Sequence, residues 1–71
     1  MTPKQIEGEL KRIGKHFRKQ QRLFEKAAKV ERDNDCNVTG AEFEGRGYSF
    51  KYCAEHVEAL VALMSVGKRE P

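Results

Sequence analysis

The chain has 71 residues, a formal net charge of +3, and Asp, Glu, Lys and Arg make up 35% of it. A chain this short forms one domain, here 1–71, and buries only ~60% of the surface its unfolded form exposes. That leaves little room for a catalytic pocket with its oxyanion and substrate contacts, and no run approaches the ~20 apolar residues of a membrane-spanning helix.

The N-terminus, MTPKQIEGEL, lacks the apolar stretch of a signal peptide, so the chain reads as cytoplasmic. Its two cysteines then read as reduced or metal-bound rather than paired. The charge is uneven. Residues 1–32 hold ten Lys and Arg against four Glu, while residues 33–71 hold four basic against seven acidic residues. The basic first half is where an anionic partner would bind.

Thr2, Pro3 and Gln5 give a helix start: an N-cap, a proline at the first helical position and a T-x-x-Q capping box. The apolar stripe Ile6, Leu10, Ile13, Phe17, Phe24 and Ala27 follows helical spacing, interrupted by Gln20. The pattern predicts one helix from about residue 3 to about residue 33, ended by the turn residues Asn34 and Asp35. Gly8 and Gly14 oppose it, at roughly 1 kcal/mol each relative to Ala.

Residues 36–52 change pattern. Ala41 and Phe43 alternate with Glu42 and Glu44, and Tyr48, Phe50 and Tyr52 alternate with Ser49 and Lys51. With Gly45-Arg46-Gly47 between them, the runs predict a β-hairpin with one aromatic face. That face reads as core rather than as a stacking platform for bases. A last helix is predicted from near Cys53, with the stripe Ala54, Val57, Leu60, Val61 and Met64, ending at Gly67. The expected fold is α+β, in the order α-β-β-α and mostly helical. A first helix of ~45 Å would outrun a last one of ~20 Å, so part of its stripe must meet the hairpin, fold back at Gly14, or meet another copy. A homodimer or a complex is the expectation.

Six basic residues, Arg12, Lys15, Lys19, Arg22, Lys26 and Lys29, follow steps of three and four, which aligns them on one side of a helix. Lys11 and Arg18 flank them. A solvated helix face usually mixes signs, and like charges four apart destabilise a helix by ~0.2–0.5 kcal/mol per pair. A polyanion would neutralise this row. Nucleic-acid phosphates are the first candidate, with an acidic protein surface as the alternative. Phosphate contacts alone carry no base specificity, and no helix-turn-helix, zinc-finger or RNP spacing accompanies them.

Two metal patterns call for weighing. Asp33, Asp35, Asn37 and Glu44 fit positions of a calcium loop, but Val38 occupies its glycine position and no helix pattern follows Glu44. Cys53 and His56 form an i,i+3 pair that Cys36 could join across the hairpin to make a small zinc-stabilised module. The competing reading makes Cys53 a small core residue and His56 a helix-surface residue, with no cofactor. Nothing in the chain resembles an active site. The reading is a non-enzymatic binding or regulatory protein.

Overall fold

The computed structural model describes residues 1–69, and side-chain surroundings as far as Val66. It is a helical hairpin of two elements, α1 (Pro3–Asp33) and α2 (Asn37–Arg69), with extents of 57 × 18 × 13 Å. Among the described residues there is no strand.

α1 begins as its sequence dictates. The Thr2 hydroxyl accepts from the Gln5 amide at 3.2 Å, and the Gln5 side chain accepts from the Thr2 amide at 2.8 Å. Both bonds satisfy donors that the first helical turn leaves unpaired. The end is equally defined. The Asp35 amide donates to the Arg32 carbonyl at 3.0 Å and the Cys36 amide to the Glu31 carbonyl at 2.7 Å. This is a Schellman motif, with Asp35 at φ 62° in the left-handed position that glycine usually fills. It reverses the chain within Asn34-Asp35-Cys36 and starts α2 at once.

The α+β expectation is corrected here. Residues 36–52 do not form a β-hairpin; from Asn37 onward they belong to α2, which runs through Arg69 and so also passes Gly67. The reason lies in a period of seven that the local alternation concealed. Gly40, Gly47 and Ala54 recur every seventh residue on the side of α2 that meets α1, and all three are buried. On α1 the buried Gly14 and Ala28 stand fourteen residues apart, two such periods, on the side that meets α2. A Cβ added at Gly47 would lie 3.5 Å from the Gln21 carbonyl and from Phe24 Cβ. One added at Gly40 would lie 2.9 Å from Arg32 Cγ. These glycines serve close approach of two helices, in the manner of small residues at a packed seam, rather than a turn.

Between the small residues sit the large ones. Phe24 stacks on Phe50 with centroids 5.5 Å apart and planes 11° apart. Phe43 lies 6.0 Å from Phe24, and Phe17 lies 6.1 Å from Phe50. Aromatic pairs at these separations add to the burial of their area. The expected aromatic face therefore divides. Phe50 joins the seam, whereas Tyr48 and Tyr52 are exposed and pair with each other at 5.6 Å. The helices have nearly equal length, so the expected mismatch between a long and a short helix disappears. The seam takes Leu10, Gly14, Phe17, Gln21, Phe24 and Ala28, and leaves Ile6 and Ile13 of the expected stripe exposed.

Candidate functional site

The seam fixes which way every other residue points. With Gly14 and Phe17 facing α2, the rows Arg12, Lys19, Lys26 and Lys15, Arg22, Lys29 stand on the outer side of α1, and all six are exposed. Within each row the spacing is seven residues, about 10.5 Å, and the whole span is about 25 Å. Arg12 is paired with Glu9. Among the described residues, Lys15, Lys19, Arg22, Lys26 and Lys29 form no ion pair.

Arg18 has a different role from its neighbours. Its Nε donates to Glu58 Oε2 at 2.9 Å, its Nη2 to Glu58 Oε1 at 2.7 Å, and its Nη1 to Gln21 Oε1 at 2.9 Å. The fork is committed to joining the helices. Arg32 repeats the arrangement toward the turn, with Nε and Nη2 donating to the two Glu44 oxygens at 2.6 and 2.9 Å. Hydrogen bonds from the two arginines hold Glu58 and Glu44 below the usual carboxylate range. Neither pair was legible in the sequence, because each joins residues brought together only by the register of the hairpin.

A shallow groove adjoins the basic rows between the helices. Its floor is Leu10, Gly14, Val57 and Val61, and its rim includes Lys15, Lys19 and Arg22. Gly14 lets the helices approach closely at this floor; a Cβ there would rest against Val57 Cγ1 at 3.5 Å.

The metal candidates are not brought together. Cys53 and His56 lie three residues apart in α2, both exposed, while Cys36 lies in the turn before α2 begins. Seventeen residues of nearly continuous helix separate the two cysteines, about 25 Å. The β-hairpin that would have closed this distance is absent. Cys36 Sγ donates to the Asn34 carbonyl at 3.6 Å, and the nearby Glu31 carboxylate pushes the thiol pKa up, disfavouring the thiolate. Of the calcium pattern, Asp33 ends α1, Asp35 holds the left-handed turn position, Asn37 opens α2, and Glu44 is held by Arg32. Among the described residues no three His, Cys, Asp or Glu side chains are grouped to hold a metal ion. Among the same residues no helix is long and apolar enough to cross a membrane.

Comparison of the chain with family models, with curated proteins and with solved structures found no match.

Proposed function

We propose that this is a non-catalytic binding protein that presents the outer face of α1 to the phosphates of a nucleic acid, as a regulatory accessory factor in the cytoplasm. One observation carries the reading: Lys15, Lys19, Arg22, Lys26 and Lys29 line one exposed side of a helix, and among the described residues none is in an ion pair. Their mutual repulsion lowers the stability of the free protein and is relieved by a polyanion.

Binding of duplex and single-stranded probes should weaken with salt, log K falling against log salt by about 0.9 per duplex phosphate contacted. Lys19→Glu with Arg22→Glu should abolish binding and leave the helical circular-dichroism spectrum intact, since neither residue joins the two helices. No retention of any nucleic acid at low salt would overturn the reading.

The groove favours a second reading. Apolar floor beside basic rim suits an acidic amphipathic segment of a protein partner, for which the protein would act as adaptor or inhibitor. In that case nucleic acid is not retained, and the same charge reversals disrupt a defined protein complex.

A further inference from the structure

We propose that the broad face of the hairpin opposite its two interhelical ion pairs is a homodimer interface, on which a second copy packs to complete an antiparallel four-helix bundle. Arg18–Glu58 and Arg32–Glu44 bridge one broad side of the hairpin. The other side carries Ile6, Ile13, Leu23 and Val30 from α1 and Leu60 and Leu63 from α2, all exposed. Its only charged residues among those described are Glu9, Glu42 and Arg46, and Arg46 lies over the Phe24 ring at 6.0 Å. A protein of net charge +3 can approach its own copy on this side without bringing the basic rows face to face.

The isolated hairpin needs such a partner. Among the described residues the buried apolar ones are Ala28 and Ala54, and no large side chain is fully buried. Chains of this size commonly gain their missing core by association. The whole side measures 57 by 18 Å at its extents, enough to accommodate the ~800 Å² per partner of a standard interface if the copies overlap along its length.

The arrangement of the apolar residues identifies the occupant as a second copy. An isologous interface must complement itself under a two-fold rotation. Ile6 and Val30 stand equally far from residue 18, the midpoint of α1, and so do Ile13 and Leu23. A two-fold axis across that midpoint sets α1 antiparallel on its counterpart, with Ile6 over the partner's Val30 and Ile13 over the partner's Leu23. The basic rows of both copies then lie along one edge of the bundle, which widens the surface proposed above for phosphates. The dimer itself does not depend on that reading.

Sedimentation equilibrium of the full chain, at about 100 µM, tests the proposal. The expected mass is twice the 8.2 kDa of one chain. Ile13→Glu with Leu23→Glu should return the mass of one chain, while Val38→Glu, exposed on another side of α2, should leave the dimer intact. A single-chain mass for the unsubstituted protein overturns the proposal, as does a dimer that survives the double substitution. Should the double variant unfold, crosslinking decides. In a background of Cys36→Ser and Cys53→Ser, mixed Ile13→Cys and Leu23→Cys chains should oxidise to the unlike pair in preference to either like pair. Preference for like pairs overturns the proposal.

Discussion

Arg18 and Glu58 meet across the hairpin through two parallel hydrogen bonds, of 2.9 and 2.7 Å, and Arg32 and Glu44 repeat the geometry nearer the turn. Two planar forks at fixed separation set the register of α1 against α2, which a seam of small residues and phenylalanines would specify less sharply. Because both pairs are exposed, their contribution is directional more than large.

The two glutamates make stability depend on acid in a defined sense. Their carboxyls titrate below the unfolded value when folded, because the arginines donate to the charged form. Their contribution is therefore complete above the unfolded pKa of about 4.3 and is lost as pH falls through the folded values. Melting temperature should hold steady between about pH 7 and 5 and decline below that. Glu58→Gln should lower it at neutral pH and flatten the decline. Thermal melts followed by circular dichroism across that range provide the check.

Glycines separate a helical α2 from a β-hairpin. Gly45 faces open space, so Gly45→Ala should stabilise the protein by roughly 0.5–1 kcal/mol through helix propensity alone. In a tight β-turn the same change would destabilise. Gly40→Ala should go the other way, because its Cβ would press on Arg32 Cγ at 2.9 Å and on the Ala28 carbonyl at 3.3 Å. Chemical denaturation of the two variants gives the signs directly.

Asp35 carries a left-handed backbone at φ 62° that glycine adopts without steric cost. Asp35→Gly should stabilise the hairpin by about 1 kcal/mol, measured as a rise in denaturation midpoint with unchanged slope. A loss of stability would show that the aspartate side chain supports the turn by an interaction larger than its backbone strain.

The aromatic residues offer a sharper contrast. Phe50 packs between Phe17 and Phe24, while Tyr52, two residues on, is exposed. Phe50→Ala should cost about 2–4 kcal/mol and Tyr52→Ala under about 0.5. Equal losses would match one face of a strand and contradict the helix.

The sequence alone determined α1 and the basic side it carries. Thr2, Pro3 and Gln5 mark its start by local hydrogen bonding, Asn34 and Asp35 mark its end, and steps of three and four align Arg12 through Lys29 whatever else the chain does. These features depend on residues within one or two turns of one another. Residues 36–52 were not determined in that way. Tyr48, Phe50 and Tyr52 alternate as a strand would, and Gly45-Arg46-Gly47 reads locally as a turn. Only the approach of α1 explains why Gly40, Gly47 and Ala54 recur at sevens, since a small residue is informative only when something packs against it. The same holds for Arg18, which the sequence groups with the basic row and the tertiary structure gives to Glu58. It holds too for Cys36, which a hairpin of strands would have brought to Cys53 and a straight helix carries away. The local pattern over that stretch favours strands, and the buried seam, with its phenylalanine stack and two arginine forks, overrides it.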